Sequence, residues 1–461
     1  MNRDAYEGFS FGDARLDRRF AWLREAAERM PGASFPVLSG SEPAREATYR
    51  FLNNPRVTLA GMIGPHIASS VDRLRQSPLA LIVHDSSELK FTGDFPRPGL
   101  GRMPSGQGFL GHFALAVTAD GQRAPLGVVG VSTLFRGAEQ RVANRTRRSA
   151  TDRESLRWRD LILEVEERAQ HAALIHVMDR EADSYELLHL MQQKGLRFVV
   201  RLNRERMVHG VDDDAWVTTE AQMSSTQTVI TREIRLSRRT AKRPEGPRRT
   251  HPPREGREAT ICLGAQQIVV RRPLKAPAGH PQMLTVNVVR VWEPNPPPNQ
   301  DPVEWLLLTS EPIDSVAALE RVVDWYRARW VIEEFFKALK TGCNYEQRQL
   351  ENRGALLNAL GLFIPVAWQM IALRTEARRA EVMPSTVIST TQIEILRQLL
   401  PKKLPPQPTA RAVYLAVAEI GGHIANNGEP GWLVLSRGLT RLRDYETIWR
   451  LARRKERCDQ S

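Results

Sequence analysis

The chain has 461 residues, of which 41% are hydrophobic and 26% are charged. These values lie near globular averages and exclude wholesale disorder. Lys and Arg number 66 against 53 Asp and Glu, which gives a formal net charge of +13. Such an excess of positive charge indicates a polyanionic partner, either nucleic acid or an anionic membrane surface. At about 150 residues per domain, the length predicts about three domains or one core with insertions.

The hydropathy of the sequence argues against a membrane-spanning segment. The most apolar stretch, 356–373, contains Asn358, Pro365 and Gln369 and is shorter than the roughly 20 residues that a membrane span needs. It therefore predicts a buried helix. The N-terminus has no apolar segment of the kind found in secretory signals. The three cysteines are far apart and odd in number, which predicts a reducing compartment and neither a disulfide framework nor a zinc site. Nucleic acid is the expected partner.

The first seventy or so residues are predicted to be helical and basic. Arg15 and Arg19 belong to an arginine cluster that ends before Pro31, and Arg50 belongs to a second element that stops at 53–55, where Asn and Pro break the helix. A solvated helix face is the alternative for any single arginine. In so basic a chain the cluster favours contacts with phosphate.

An alternation of strands and helices follows. The apolar run that begins at Leu79 predicts a buried strand with polar residues at its carboxyl end. The predicted elements up to residue 202 are, in order, strands over 79–83, 113–118 and 125–135, a helix from a Thr151–Glu154 capping box to about Gln170, a strand over 172–178, a helix over 184–193 and a strand over 197–202. This order is typical of an α/β layer structure.

Residues 204–304 interrupt that alternation. Short β-like segments flank a basic, Pro-rich loop that a packed core could not contain, and a disordered loop tip is the alternative. The basic residues of this loop are Arg238, Arg239, Lys242, Arg243, Arg248, Arg249, Arg254 and Arg257. The core is predicted to resume with a strand at Trp305. The later predictions are a long helix over 315–341, the buried helix over 355–374, a Pro-punctuated linker over 384–408 and a helical tail beyond Thr409.

Two strands and the long helix supply candidate catalytic carboxylates. Asp85 and Asp179 each follow a predicted strand, although an Asp in that position is also a common turn or cap residue. At 100° per residue, one stripe of the long helix spans about 80° and contains Tyr326, Arg329, Glu333, Lys337 and Lys340. A solvated helix face is the competing interpretation of that stripe.

Three carboxylates from two strand ends and a helix are a suitable ligand set for a hard divalent cation. Mg²⁺ prefers oxygen ligands and binds through carboxylates together with substrate phosphate and water. Two such ions about 4 Å apart can activate a nucleophile and stabilise the leaving oxygen of a phosphodiester. Arg329 and Lys340 would then neutralise phosphate charge.

With these residues, the sequence resembles the DDE cut-and-paste transposases of the insertion-sequence four group. The run 326–335, followed by 340–342, carries the Tyr-(two)-Arg-(three)-Glu-(six)-Lys signature of that family in full. The other matching segments are 84–87 (His-Asp-Ser-Ser), 179–183 (Asp-Arg-Glu-Ala-Asp), Gly12-Asp13 with Arg15 and Arg19, 49–51, 305–312 and Gly421-Gly422. The resemblance spans nearly the whole chain.

The resemblance implies an α/β fold with an RNase H-like catalytic core, in which a mixed sheet carries flanking helices. A β-rich insertion interrupts this core, and helical domains lie at both ends of the chain. The implied domains are 1–70 for DNA-end binding, 71–203 and 305–378 for the two parts of the catalytic core, 204–304 for the basic insertion and 379–461 for dimerisation.

The resemblance also assigns roles to individual residues. Asp85, Asp179 and Glu333 match the catalytic triad, which would bind two Mg²⁺ ions, with Mn²⁺ as a substitute. Trp305 matches the aromatic residue against which a flipped base stacks. The other implied DNA contacts near the cleavage point are Tyr326, Arg329 and Lys340, and Arg15, Arg19 and Arg50 fall in the segment that reads the element end. Lys337, Arg180 and Arg201 are further candidate DNA-binding residues.

The implied activity is that of a DNA transposase acting as a homodimer on double-stranded DNA in the bacterial cytoplasm, at the nucleoid. It would bind terminal inverted repeats, hydrolyse the ends with Mg²⁺, pass through a hairpin and join the 3′ ends to target DNA. Two alternatives are an RNase H-like nuclease without strand transfer and a non-catalytic regulator or inhibitor of transposition.

Overall fold

The computed structural model shows a mixed α/β protein with two compact units. It describes residues 10–458 except for 94, 104–105, 136–155, 237–254, 275, 277–278, 299, 379–387 and 402–403. The first unit comprises 1–80, 85–173 and 330–461, and the second comprises 81–84 and 174–329. The predicted Thr151–Glu154 capping box and the basic loop residues from Arg238 to Arg254 lie outside the described residues.

Four helices open the first unit, as the sequence predicts. They are α1 (Ala14–Arg29), α2 (Phe35–Ser39), α3 (Glu42–Leu52) and α4 (Leu59–Arg75). Helix α1 begins at Asp13, whose side chain accepts the backbone N–H of Arg15 at 2.8 Å and so satisfies one of the donors that a helix start leaves open. Its buried side chains are Phe20, Leu23 and Ala27. Helix α4 continues past residue 70, where the first domain was predicted to end.

The strands of the first unit form an antiparallel group. The strands concerned are β1 (Ala80–Phe91), β2 (Gly101–Met103), β3 (Gly106–Thr118) and β4 (Pro125–Leu134), and helix α5 (Leu156–Arg168) follows them. Residues 85–91 of β1 lie in this unit, where β3 pairs with β2 and β4. The predicted end of the first strand at Asp85 is wrong, because β1 continues through half-buried polar residues to Phe91.

A mixed sheet forms the centre of the second unit. Its elements begin with β5 (Leu174–Met178), α6 (Tyr185–Gln193), β6 (Phe198–Arg201), β7 (Met207–Gly210), β8 (Val217–Thr218) and α7 (Thr219–Ser224). They continue with β9 (Ile230–Leu236), β10 (Arg257–Arg271), β11 (Met283–Trp292), β12 (Glu304–Thr309) and α8 (Val316–Ala328). The strand order is β1-β5-β6-β12-β11-β10-β7-β8, with residues 81–84 of β1 at one end and β9 beside β10.

The β-rich segment 204–304 extends that sheet. Strand β5 runs parallel to β6, whereas β12 pairs antiparallel with β6 on one side and with β11 on the other. The strands within 204–304 therefore continue the same hydrogen-bonded ladder as β6 and β12. Arg257, predicted in the basic loop, lies instead at the start of β10 and binds the carboxylate of the buried Glu293.

The predicted continuous helix over 315–341 is wrong in one respect, because it is interrupted at Arg329. Helix α8 ends at Ala328, α9 spans Trp330–Lys337, and a π-helical turn spans Ala338–Gly342. The backbone N–H of Arg329 bonds to the carbonyl of Tyr326, three residues back, at 3.1 Å, which is the tighter 3₁₀ pattern. Arg329 itself keeps helical backbone angles, with a φ of −52° and a ψ of −32°.

The apolar stretch forms the core helix α10 (Arg353–Glu376) of the first unit. Among the described residues it is the one helix long and apolar enough to cross a membrane, and 89% of its 18-residue apolar window is buried. The side chain of Asn358 donates to the carbonyls of Leu52 and Val57, each at 2.9 Å. These contacts confirm the predicted buried helix.

Three further helices follow α10. They are α11 (Thr390–Leu399), α12 (Ala410–Ile420) and α13 (Trp432–Cys458). The predicted linker over 384–408 is thus partly helical, because Ser389 and Gln392 form a capping box that starts α11. On α13, Tyr445, Ile448 and Leu451 are exposed at a spacing of three residues.

A buried histidine in α4 predicts acid sensitivity. The backbone N–H of Val128 donates to Nε2 of His66 at 3.1 Å. Burial, followed by the charge of Arg73, lowers the pKa of His66 from 6.5 to about 3. The unfolded imidazole still protonates near 6.5, so the contribution to stability is complete above pH 6.5 and is lost as the pH falls toward 3. We expect a loss on the order of 2 kcal/mol between pH 7 and pH 5.

Urea unfolding at the two pH values measures this loss. His66→Gln keeps an acceptor for Val128 but does not titrate, so it should lose less stability on acidification than the unchanged protein. An equal loss in both proteins would assign the acid sensitivity to other groups.

Candidate active site

Asp179 lies where a fully buried strand, β5, ends. It caps the short 3₁₀ helix Arg180–Ala182, because its Oδ1 accepts the backbone N–H of Glu181 at 2.9 Å. The carboxylate is half-buried, and Arg180 beside it is exposed. The cap role and the predicted ligand role thus fall on the same residue.

Five of the predicted DNA contacts come together in the second unit, and we call them the Arg201 cluster. Its members are Arg180, Arg201, Trp305, Tyr326 and Arg329. Burial lowers the pKa of Arg201, its hydrogen bond with Tyr326 opposes that shift, and the charges of Arg180 and Arg329 add to it. The indole of Trp305 lies 5.6 Å from the ring of Tyr326, centroid to centroid.

The Arg201 cluster is not a solvated helix face. Tyr326 is 3% exposed and Arg329 is 8% exposed, so the solvated interpretation of the stripe is wrong for these two residues. Arg201 lies within reach of the charges of Arg180 and Arg329, and such a group of cations favours an anion that can accept several charge-assisted hydrogen bonds, as phosphate does.

A buried ion pair supports the backbone next to Arg201. The carboxylate of Asp183 pairs with Arg206, and its Oδ2 accepts the backbone N–H groups of Asn203 at 2.8 Å and Arg204 at 2.9 Å. Asp183 thereby joins the turn after Asp179 to the turn after β6. The first turn carries Arg180, and the second directly follows Arg201, the last residue of β6.

In the first unit, Asp85 lies beside a network of polar side chains. Its Oδ1 accepts the backbone N–H of Ser86 at 2.7 Å, and the Ser86 hydroxyl lies 2.9 Å from Nδ1 of His112. Nε of Arg157 donates to the same hydroxyl at 3.2 Å. Burial, followed by the charge of Arg157, lowers the pKa of His112 to about 3, so this imidazole is neutral at physiological pH.

Glu333 lies in the first turn of α9, and Glu334 follows it in the middle of the helix. The apolar side chains Phe335 and Phe336 of this helix pack against Phe113, with ring centroids 5.6 and 5.4 Å apart. The burial of Phe335 confirms the prediction that this side chain packs inward. Glu333 is half-buried.

Lys337 differs from the prediction, because it pairs with Glu334 at 2.8 Å rather than with the stripe that contains Glu333. Arg374 binds the other oxygen of Glu334 at 2.8 Å. Partial burial raises the pKa of Glu334, but the hydrogen bonds and charges of Lys337 and Arg374 outweigh burial and lower it.

Lys340 lies in the π-helical turn of the first unit. Its ammonium group donates to the carbonyl of Glu88 at 2.6 Å and lies 3.5 Å from the carboxylate of Glu346. Burial lowers the pKa of Lys340, and Glu346 opposes the shift. Lys340 therefore lies against the same strand, β1, that carries Asp85.

The three predicted end-reading arginines lie on the N-terminal helices of the first unit. Arg15 and Arg50 are exposed, on α1 and α3 respectively. Arg19 lies over the indole of Trp22, 5.0 Å from its ring centroid. A cation next to an exposed aromatic ring is suited to contact with nucleic acid.

The proposed metal ligands come from both units, with Asp85 and Glu333 in the first and Asp179 in the second. Within the described part of the chain, no three His, Cys, Asp or Glu side chains are grouped closely enough to hold a metal ion. The chemistry of the donors still fits a hard divalent cation, since all three are carboxylates. The triad stays a prediction.

Two features were not predicted from the sequence. His84 and His176 are fully buried, and their rings hydrogen-bond at 2.9 Å. A sequence signal for this pair was present, because His84 directly precedes Asp85 and His176 lies in the strand that ends before Asp179.

The second feature is Trp330, which is 54% exposed and lies three residues before Glu333. A large exposed indole cannot be told from a buried one by its position in an amphipathic run.

Two domain families match this chain. Residues 3–57 match the transposase DNA-binding family, and residues 145–364 match the transposase DDE domain. The chain is a DDE transposase. The first match contains the arginines of α1 and α3, and the second contains Asp179, Glu333 and the whole Arg201 cluster. DNA is the partner of this transposase, and enzymes of its class use divalent metal ions.

The transposase is also similar to a solved structure, the cryo-EM structure of the piggyBac transposase synaptic complex with hairpin DNA. The two chains are 10% identical, the match covers 84% of this chain and 69% of the other, and the TM-score is 0.36.

Proposed function

We propose that this transposase belongs to the insertion-sequence four group, and that it is similar to the transposon-five transposase. It would bind terminal inverted repeats, cut both strands at each end through a hairpin, and join the 3′ ends to target DNA. The observation that carries this proposal is the Arg201 cluster, which includes Arg180, the residue after Asp179, and lies within the DDE match.

Asp85, Asp179 and Glu333 would hold two Mg²⁺ ions, which Mn²⁺ could replace. When bound, such ions supply Lewis acidity to a scissile phosphodiester and lower the pKa of water. The three residues would each contribute carboxylate oxygen. Two of these carboxylates are already held in place by backbone N–H groups, of Ser86 for Asp85 and of Glu181 for Asp179.

The cationic side chains would bind and orient the DNA. Arg180, Arg201 and Arg329 would hold phosphates next to the cleavage point, and Tyr326 would orient Arg201 through their hydrogen bond. Lys340 would also contact the DNA near the cleavage point, and Lys337 would add a further contact with the DNA. Trp305 would stack against a base flipped out of the duplex. Positioning of this kind lowers the barrier by reducing the entropy that the reaction must otherwise lose.

The end-binding region would be 1–70, where Arg15, Arg19 and Arg50 read the inverted repeat. The core, 71–203 and 305–378, would be RNase H-like, an assignment supported by the parallel pair of β5 and β6 beside antiparallel strands.

Residues 379–461 would form the dimer of the synaptic complex. The exposed Tyr445, Ile448 and Leu451 of α13 support this role, because a row of apolar side chains at helical spacing suits a second helix. We assign the activity to the bacterial cytoplasm, at the nucleoid.

A joining assay tests the proposal. Linear duplexes that end in the inverted repeats flanking the reading frame are incubated with the transposase, supercoiled plasmid and Mg²⁺. We expect cut ends, a hairpin intermediate and plasmid joined to the 3′ ends. Cleavage without joining would indicate a nuclease, and end binding without cleavage would indicate a regulator.

Trp305 provides a prediction for the hairpin step. Its indole is half-buried beside Tyr326. Flipping a base costs a few kcal/mol, and stacking on an aromatic ring returns about 1–3 kcal/mol of that cost. Trp305→Ala should therefore spare the first nick and slow hairpin formation about 5- to 150-fold. A time course that resolves nicked, hairpin and blunt products measures both steps.

Trp292→Ala is the matched control for Trp305→Ala. Trp292 is a half-buried indole on the neighbouring strand, β11, and its ring lies under Arg290. Trp292→Ala should lower the melting temperature of the protein without selectively slowing hairpin formation. If Trp305→Ala slowed nicking and hairpin formation equally and also lowered the melting temperature, Trp305 would be a core residue.

A further inference from the structure

Arg374 connects four elements of the first unit. It lies on α10 with only 12% of its side chain exposed. Its guanidinium donates to Glu334 on α9 at 2.8 Å and to the hydroxyl of Tyr414 on α12 at 3.2 Å. It also donates to the carbonyl of Pro430 and lies 3.9 Å from the ring centroid of Trp432, the first residue of α13.

The pair of Glu334 with Arg374 ties helix α9 to helix α10. Helix α9 is eight residues long and lies between the break at Arg329 and the π-helical turn. Its buried side chains, Ile332, Phe335 and Phe336, are apolar, and apolar contacts are not directional. The pair of Glu334 with Arg374 is directional and acts on a different side of the helix.

The orientation of α9 determines where Glu333 points. A rotation of about 20° at a side-chain radius of roughly 6 Å moves a carboxylate by about 2 Å. A functional group must be held within about 0.5 Å of its productive position. A small rotation of α9 would therefore displace Glu333 by more than a ligand site tolerates.

We propose that Arg374 is a positioning residue for Glu333, acting through Glu334. The inference rests on the proposed role of Glu333 as a metal ligand. Because the same guanidinium binds Tyr414, Pro430 and Trp432, the position of Glu333 depends on how the C-terminal helices α12 and α13 are held. The segment assigned to dimerisation thereby reaches the catalytic carboxylate through one side chain.

Three variants test the proposal, each with the full-length protein bound to an end-carrying duplex. They are Arg374→Gln, Glu334→Gln and the double variant. Binding of Mn²⁺ is followed by electron paramagnetic resonance, and the Mg²⁺ dependence of cleavage is measured in parallel. Loss of a residue that orients a metal ligand weakens metal binding about 10- to 100-fold. We expect that loss in each single variant, and no further loss in the double variant, because both residues act through one contact.

Arg397→Gln is the matched control. Arg397 lies on α11, pairs with Glu394 and donates to the carbonyl of Pro406 at 2.7 Å, and no described contact joins it to Arg374 or to the partners of Arg374. Arg397→Gln should leave Mn²⁺ binding unchanged. Melting temperatures of all variants show how far each one also destabilises the fold.

Two results separate failure of this inference from failure of the proposed function. If Glu333→Gln left Mn²⁺ binding unchanged, the proposed metal site itself would be wrong. If Glu333→Gln abolished binding but Arg374→Gln only lowered the melting temperature, with the Mn²⁺ affinity kept, Arg374 would be a structural residue and the inference would be overturned.

Discussion

Substitution of Asp85, Asp179 or Glu333 by Ala should abolish cleavage and strand transfer while end binding persists. A catalytic metal ion stabilises the transition state by several kcal/mol, and each 1.36 kcal/mol is a factor of ten in rate. We therefore expect a loss of at least about 1,000-fold for each variant. End binding should survive, because the arginines of α1 and α3 lie in a separate matched domain. Gel shifts measure binding, and product analysis in Mg²⁺ measures cleavage.

Asp160→Ala is the control for these variants. Asp160 is an exposed aspartate on α5, paired with its neighbour Arg159 at 2.7 Å, and its loss should change neither cleavage nor binding. Glu334→Ala is not a neutral control, because Glu334 binds Arg374 and Lys337. Full cleavage by Glu333→Ala together with an inactive, well-folded Glu334→Ala would show that the family signature is assigned to the wrong glutamate.

The largest loss of stability is expected for Arg348→Met. Arg348 is 3% exposed, and its guanidinium donates to the carbonyls of Pro31, Ala33 and Cys343. It also lies 4.0 Å from the ring centroid of Phe363. Burial lowers the pKa of Arg348 to about 10, so the group is charged at neutral pH. Methionine would leave buried carbonyls without a donor, at about 1–3 kcal/mol each.

With partial relaxation of those carbonyls, the free energy of unfolding should fall by about 3–5 kcal/mol. Urea unfolding followed by tryptophan fluorescence measures the change. Arg353→Met is the control, since Arg353 is an exposed arginine that lies 4.2 Å from the ring centroid of Phe135. It should cost less than about 1 kcal/mol. Equal losses in the two variants would show that stacking, and not the binding of the 31–33 backbone, is what Arg348 contributes.

The sequence predicted the local elements because they depend on neighbouring residues. Apolar runs marked β5 and α10, and the Asp179 that follows β5 is found at the end of that strand. The Tyr-Arg-Glu-Lys signature predicted a DDE transposase, which the two domain-family matches confirm. In each case the pattern needed only a few consecutive residues, whose burial follows from the period of a helix or a strand.

Two predictions were wrong because a rule that holds for neighbouring residues was applied to a longer segment. The helical projection assumed one continuous helix, whereas the 3₁₀ bond at Arg329 separates α8 from α9. The polar residues after His84 predict the end of a strand, but β1 continues to Phe91. A periodicity shows which side chains are apolar and does not show where a hydrogen-bond ladder is broken.

By itself, the sequence determined the alternation of strands and helices, a net positive charge that indicates a polyanionic partner, and the motifs typical of a DDE transposase. The tertiary structure alone decided that β12 lies between β6 and β11, that Arg201 meets Tyr326, and that Arg374 binds Glu334. Such pairings join residues far apart in the chain, so they depend on which buried surfaces fit together and which buried charges find a partner. No window of neighbouring residues contains that information.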